Sequence, residues 1–299
     1  YTSGVSNLTA AHNRFYNCDL RISQLENSSF AESNYLDDEP IYFIENGYNH
    51  SRILNKTAQI YLINSSHMIL EGGILTNPRL TIWIDNCSYI EFRNFQINNF
   101  SDEAVSIQDS NHIRFLNCTF GPGTDDGIKI ESCTEIEIKR CLFYNLTDRA
   151  AIVADEEVSN LTISENWFYN CSEGVLIWDI ENATISDNFY GNLTNTFVRN
   201  ETNMIGVISE ENTNSTDFDP SAFPPLEFDD DYLDLPQSST TNETDTDDDT
   251  SDNDTSDDDT SETDPPDDTT DDDGTPGGSL NTLQIFLIIG GLLLLTIGG

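Results

Sequence analysis

Basic residues are scarce in this sequence. Only 12 Lys and Arg stand against 54 Asp and Glu, which gives a formal net charge of −42. A polyanion is repelled by phosphate backbones and by acidic lipid surfaces. The composition therefore excludes a nucleic-acid-binding protein and a basic protein of membrane surfaces, and no nucleic-acid partner is expected.

Cysteine is also scarce, and the repeat of the folded region lacks the spacing of apolar residues that is typical of helices. Six cysteines in 299 residues are too few for a disulfide scaffold, and without a Cys-x-x-Cys pair a zinc site is not expected. No interval of the repeat described below has apolar residues at helical spacing. These absences favour an all-β fold whose core is apolar.

Composition divides the chain into three zones. Residues 1–235 have a mixed composition and are expected to form the folded ectodomain. Residues 236–279 are nearly all Asp, Thr, Ser, Pro, Gly and Asn, and this composition predicts a disordered acidic stalk. Residues 280–299 are an apolar run of bilayer length, which predicts a single transmembrane helix in the cell membrane with the ectodomain outside. A cleaved lipid-anchor signal is the alternative for this last zone.

A strand-like motif recurs through the first zone at intervals of 22–25 residues, with members that begin at Ile90, Ile113, Ile136, Leu161 and Ala183. A second motif lies in each interval, with members Thr81–Ile84, Ala104–Ile107, Gly127–Ile130, Ala150–Val153 and Gly174–Ile177. The alternation of apolar and polar residues predicts strands. Two strands in each short repeat predict a solenoid whose coils stack about 4.8 Å apart.

This pattern resembles the right-handed parallel β-helix family, the pectin-lyase-like fold, over roughly residues 59–190. The resemblance implies a right-handed parallel β-helix solenoid over residues 1–235, with Tyr1–Leu25 as an early coil and an insertion at about residues 26–54. A leucine-rich repeat is a minor alternative, since the spacing from Val158 to Asn166 also fits its template.

Acidic residues precede the second motif on three successive coils, beside one arginine: Asp102, Glu103, Asp125, Asp126, Asp148 and Arg149. Stacking of the coils should bring these residues into one patch. Three interpretations stay open. The acids form turns, or Asp102, Asp125 and Asp148 bind calcium as a cofactor, or the patch performs acid/base chemistry on a polysaccharide.

Two enzyme groups of the resembled family bear on the third interpretation. Glu103, Asp125 and Asp126 are similar in register to the three acids of polygalacturonase-like enzymes, although Arg149 stands where those enzymes have a histidine. Asp148 and Arg149 resemble part of the His-Asp-Lys stretch of pectate-lyase-like enzymes, whose catalytic arginine motif has no counterpart here. The resemblance thus implies Glu103, Asp125, Asp126 and Arg149 as catalytic candidates within incomplete sets.

Cysteine and the asparagines of glycosylation sequons lead to two further predictions. Cys118 and Cys141 share an interior column on adjacent coils, where a disulfide is possible but buried free thiols are preferred. The sequence has about seventeen Asn-x-Ser/Thr sequons, a density typical of exterior glycoproteins. The candidate glycosylation sites are Asn55, Asn145, Asn160, Asn182 and Asn192.

These features predict a membrane-anchored surface protein that binds or presents extracellular glycans or other partners. One alternative is a lyase or hydrolase that acts on uronate-type polysaccharide, and another is a structural spacer of a cell coat. Aromatic residues that line a groove beside the acidic patch would favour glycan binding or cleavage. A smooth outer surface of the solenoid, covered by attached glycans, would favour the spacer.

Overall fold

The computed structural model describes residues 5–6, 9–16, 25–26, 29–30, 33–75, 80–200 and 205–215. No residue in these ranges lies in a helix. Three sheets, which we call A, B and C, run along the solenoid. A regular coil contributes one strand to each sheet in turn.

The described strands of sheet A are Arg14–Phe15, Tyr35–Leu36, Glu39–Glu45, Gln59–Ile63, Ile82–Asp85, Val105–Gln108, Ile128–Glu131, Ala150–Asp155, Glu173–Ile177 and Val198–Asn200. Those of sheet B are Tyr48–Ile53, Ser66–Glu71, Ser88–Arg93, Asn111–Leu116, Thr134–Lys139, Val158–Ser164, Ile180–Ser186 and Ile208–Glu210. Those of sheet C are Ile74–Leu75, Gln96–Ile97, Thr119–Phe120, Leu142–Tyr144, Trp167–Tyr169, Phe189–Gly191 and Thr213–Asn214. Two short parallel pairs join Val5–Ser6 to Leu25–Glu26 and Thr9–Ala10 to Ser29–Phe30.

The strand register confirms the predicted repeat. The first motif forms one parallel column of partners in sheet B, made of Ile90, Ile113, Ile136, Leu161 and Ala183. The second motif forms a column in sheet A, made of Ile82, Val105, Ile128, Ile152 and Val175. On the fourth of these coils the register is one residue later than the motif starting at Ala150 predicts, so Val153 faces outward beside Lys129. The leucine-rich repeat interpretation is wrong, because both motifs are strands of parallel sheets that face one core.

The core is built from ladders of identical or similar side chains. Ile136 and Ile138 point inward and are fully buried, while Glu137 between them points outward. In sheet C the rings of Phe120, Phe143 and Phe168 stack on one another, with centroids 4.7 and 5.1 Å apart. Each such side chain contributes about 1.5–3 kcal/mol on burial, so the solenoid needs no disulfide for its stability.

A polar ladder runs through the corner between sheets B and C. The backbone N–H of Cys141 donates to Asn166 Oδ1 at 2.8 Å, and that of Asn166 donates to Asn188 Oδ1 at 2.9 Å. Cys118 continues the same column, since its N–H lies 3.4 Å from Cys141 Sγ. Both cysteines are free, as are the other described ones, which confirms the preferred prediction of core thiols.

The segment expected to be an insertion, residues 26–54, instead adds strands to the solenoid. Glu39–Glu45 pairs in parallel with Gln59–Ile63, and Tyr48–Ile53 pairs with Ser66–Glu71. The sequence hid this coil because its sheet-B strand carries exposed polar residues such as His50 and Arg52 at positions that later coils fill with apolar residues.

The predicted stalk, residues 236–279, and the predicted membrane span, residues 280–299, lie outside the described residues. In the part of the chain that the structure describes, no helix has the length and apolar character that a membrane crossing requires.

Candidate functional site

The acidic patch lies on the outward face of sheet A, where three coils enter that sheet. Asp126 is 1% exposed, and its Oδ1 accepts the backbone N–H of Ala150 on the next coil at 3.2 Å. Arg149 Nε lies 3.4 Å from Asp126 Oδ2 and 3.5 Å from Asp125 Oδ1. The coil stacking therefore brings together Asp125, Asp126 and Arg149 as the sequence predicts, with the arginine 52% exposed at the edge.

Lys129 links this patch to the coil before it. Its Nζ lies 3.9 Å from Glu103 Oε1 and 2.7 Å from Glu131 Oε1. Asp126 is also close to Lys129: the charge of Lys129 opposes the rise in the pKa of Asp126, and the charge of Asp126 contributes to the rise in the pKa of Lys129. One ammonium group thus lies among three carboxylates that come from two adjacent coils.

Burial raises the pKa of two of the three acids predicted to be catalytic, Glu103 and Asp126. It raises the pKa of Glu103 to about 7, with a further rise from the hydrogen bond and charge of Asp102, while Lys129 opposes the shift. Burial also raises the pKa of Asp126 to about 6, although the charge of Arg149 opposes it. Near neutral pH, therefore, one acid of the patch is about half protonated and the other is mainly ionised.

The three acids expected to hold calcium do not form the tightest carboxylate group. Among the described residues, the set whose ligand oxygens all lie within 4.8 Å of one another is Glu131, Asp155 and Glu156, not Asp102, Asp125 and Asp148. Asp148 is exposed in the turn before Ala150. The group of Glu131, Asp155 and Glu156 is called the carboxylate triad below.

The patch belongs to a longer surface with three parallel columns of side chains. The middle column, the outer strip, is made of Trp83, Ser106, Lys129, Val153, Leu176 and Arg199. The first rim on one side contains Glu103, Asp126 and, after Ala150, Glu173. The second rim on the other side contains Asp85, Gln108, Glu131 and Asp155 in register.

The outer strip combines apolar and cationic groups. Val153 and Leu176 are buried in a small cluster on the outward face, and Trp178 packs against it while partly exposed. Trp178 continues the second rim, because its backbone N–H donates to Ala154 O at 3.1 Å, one coil above Asp155. Carboxylates, cations and an indole beside one another can hydrogen-bond hydroxyl groups and stack on a sugar ring.

Lys129, Glu131 and Trp178 are the site residues that the sequence interpretation missed. The alternation of inward and outward residues in the second motif could have identified Lys129 and Glu131. Ile128 and Ile130 face the core, so Lys129 and Glu131 must face outward on the strand that follows Asp126. The sequence pattern singled out only the acids that precede the strands, because these recur at the repeat spacing on three successive coils.

Of the candidate glycosylation sites, Asn55, Asn145 and Asn192 lie between strands, whereas Asn160 and Asn182 lie in strands of sheet B. Asn55, Asn160, Asn182 and Asn192 are exposed, whereas Asn145 is half-buried. Asn170 Nδ2 donates to Asn145 Oδ1 at 2.5 Å, and Asn192 Nδ2 donates to Asn170 Oδ1 at 2.7 Å. Turn geometry and stacking thus account for several sequon asparagines without any attached sugar.

Comparison with known proteins places the chain by its fold. The family described as the right handed beta helix region matches residues 41–190. A solved structure, the A-module of the mannuronan C-5 epimerase AlgE6 from Azotobacter vinelandii, is 14% identical and aligns over 71% of this chain and 72% of that chain, with a TM-score of 0.31. This score is too low to carry an argument about activity, and no curated protein matches the sequence. The matched region covers half of the chain and coincides with the regular coils, so the protein belongs to the right-handed β-helix family.

Proposed function

We propose that the protein binds glycans on the outward face of sheet A. The observation that carries the proposal is the position of Lys129, which lies between Glu103 of the first rim and Glu131 of the second. Charged groups that already face one another across the strip present fixed donors and acceptors to a chain of hydroxyl groups.

The length of the surface supports an oligomeric ligand. Lys129 and Arg199 lie three coils apart in the outer strip, which corresponds to about 15 Å at the usual strand spacing. Arg199 repeats the arrangement of Lys129, since its Nη1 lies 2.6 Å from Glu173 Oε1 of the first rim. A ligand of several sugar units could therefore contact both cation–carboxylate pairs at once.

A glycan array with the full-length protein, read together with release of reducing ends, tests the proposal. The Lys129→Met variant should lose most of the glycan signal. Lys139→Met is the matched control, because Lys139 is on sheet B of the same coil, is similarly exposed and also pairs with a glutamate at 3.1 Å. Equal signals from the two variants, or no glycan bound by the wild type, would contradict the proposal and favour a structural spacer.

Acid/base cleavage of the bound glycan is the second candidate. The observation that favours it is the pair of raised pKa values, about 7 for Glu103 and about 6 for Asp126, which would give one proton donor and one acceptor near neutral pH. Release of reducing ends that disappears in both Glu103→Gln and Asp126→Asn would establish this activity. Glycan binding without release would restrict the function to binding.

Presentation at the cell surface is a separate part of the proposal and rests on the sequence alone. The apolar run 280–299 follows the acidic stretch 236–279, so the β-helix would stand away from the membrane. Membranes washed with carbonate should retain the full chain and release a chain that ends at Gly278. Recovery of the full chain in the wash would remove the anchor from this account.

A further inference from the structure

The chain reverses its direction at Asp37 and Asp38, before the regular coils begin. Both residues have a positive φ, of 48° and 65°, as a tight two-residue hairpin turn requires. Tyr35–Leu36 therefore pairs antiparallel with Glu39–Glu45, although the other neighbour of each strand in sheet A is parallel to it. The described residues before Glu39, which we call the N-terminal module, thus run against the direction of the coils that follow.

The N-terminal module packs on the outward face of sheet A. Tyr61 and Trp83 alternate with residues of the main core and therefore point outward, where they form a second apolar cluster with Leu36 of the module. Ala10 and Phe15 of the module pack against the same cluster. Leu36, Tyr61 and Trp83 are only 2%, 1% and 6% exposed, so the outer strip is covered at its first member.

The three columns of the surface change from apolar to polar at the edge of this cover. The last apolar members, all buried in the second cluster, are Leu80, Trp83 and Ile63. One coil further along, the same three positions are occupied by Glu103, Ser106 and Asp85. The polar surface that a glycan could contact thus begins where the apolar cluster under the module ends.

The opposite end of the strip is open in the part of the chain that the structure describes. Arg199 belongs to the last described strand of sheet A, and its side chain is 44% exposed. Ser106 and Arg199 lie four coils apart in the outer strip, which corresponds to about 19 Å at the usual strand spacing. A glycan that lies along the strip can continue past Arg199, whereas at Trp83 it meets the module.

We infer that this surface recognises one end of a glycan chain, with the terminal sugar beside Ser106 at the covered end of the strip. This inference rests on the proposed glycan binding and specifies which part of the glycan is bound. Glu103 and Gln108 lie on the same coil as Ser106, in the two rims, and offer oxygen atoms to the hydroxyl groups of that sugar. The interior of a long chain would have to bend away over the module and would lose these contacts.

Calorimetry with the full-length protein compares four unbranched glycans, chitosan, mannan, alginate and polygalacturonate, each as a hexamer and as the long polymer. For the glycan that binds, the affinity per chain should be the same at both lengths, because both have the same ends. Binding per gram should therefore be higher for the hexamer, by the ratio of the chain lengths. A bulky fluorophore should abolish binding of the hexamer when it is attached to one end and should have little effect at the other.

A substitution at the covered end tests the position of the terminal sugar. Ser106→Tyr extends the cover by one coil and should lose most of the hexamer binding. Ser186→Tyr is the matched control, because Ser186 is an outward-facing residue of sheet B, away from the strip. Circular dichroism checks that both variants fold, and the comparison of lengths and labels with the wild type decides the inference if Ser106→Tyr does not.

The other outcomes separate this inference from the proposed function. Equal binding per gram of hexamer and polymer, or equal effects of the two end labels, would overturn end recognition and leave glycan binding intact. Equal hexamer binding by folded Ser106→Tyr and Ser186→Tyr would also overturn it, because the terminal sugar would then lie elsewhere. If none of the four glycans binds at either length, both the inference and the proposed function fail.

Discussion

Glu103 and Lys129 occupy adjacent coils of sheet A, with 3.9 Å between Oε1 and Nζ. Glu173 and Arg199 repeat this relationship further along the solenoid, at the same separation in sequence and at 2.6 Å. In both pairs an acid from the first rim meets a cation from the outer strip of the next coil. The repeat of the fold thus also repeats an element of the candidate site.

The stability of the protein should depend on the ionisation of Glu103. Its folded pKa of about 7 is raised from 4.5, so the stabilising contribution is fully present below pH 4.5 and is lost as the pH rises to about 7. Glu103→Gln should therefore leave stability at pH 4 unchanged and increase it at pH 8 by on the order of 2 kcal/mol. Thermal melts of both proteins from pH 4 to 8 measure the difference.

Glu165→Gln is the control, because it should change the stability at pH 8 in the opposite direction to Glu103→Gln. Burial tends to raise the pKa of Glu165, but hydrogen bonds and charges of Arg140 and Lys139 outweigh it, so the folded pKa is lowered. Its contribution is present above pH 4.5, and the variant should be less stable than the wild type at pH 8. A stability gain in both variants at pH 8 would contradict the assignment for Glu103.

Ile138→Asp should prevent folding. The side chain is fully buried within an interior ladder, and an unpaired carboxylate there costs several kcal/mol in addition to the lost apolar contacts, roughly the stability of a whole domain. Glu137→Gln alters the next residue, which points outward and pairs with Arg114 Nε at 2.6 Å. Circular dichroism should show a cooperative melt for Glu137→Gln only, and a similar loss in both would contradict the register.

Asn188→Ala should destabilise the solenoid by about 3 kcal/mol. The buried amide donates to Ile163 O at 2.9 Å and accepts the backbone N–H of Asn166 at 2.9 Å, and both groups would lose their partner. Asn192→Ala removes an exposed ladder asparagine and should cost less than about 1 kcal/mol. Urea unfolding of the two variants provides the comparison, and equal midpoints would show that the buried ladder contributes nothing.

The core thiols should resist modification in the native protein. Burial raises the pKa of Cys87, Cys133 and Cys171 to about 12, so almost no thiolate is present at neutral pH. A thiol reagent followed by peptide mapping should label these residues only after denaturation. Native labelling within minutes would show that the coils open far more readily than their packing indicates.

The sequence by itself determined the solenoid, the register of sheet B and the approach of Asp126 to Arg149, while the register of sheet A at Ala150–Asp155 differs by one residue from the predicted one. These features follow from a short repeat, because identical positions on stacked coils must lie at the strand spacing and must face the same side. The acids that precede the strands of sheet A could be predicted to lie close together for the same reason. The coil of residues 39–54 could not be predicted in this way, since polar residues such as His50 replace the apolar pattern in its sheet-B strand.

Only the tertiary structure decided which outward residues join the site. Lys129 reaches Glu103 on the preceding coil and Glu131 two residues ahead, and that choice depends on side-chain direction and on the neighbours that each coil offers. The triad of Glu131, Asp155 and Glu156 likewise mixes a strand column with a corner residue, so no single periodic position identifies it. Repetition fixes where the backbone places a residue, whereas the charges and packing around each side chain decide what it contacts.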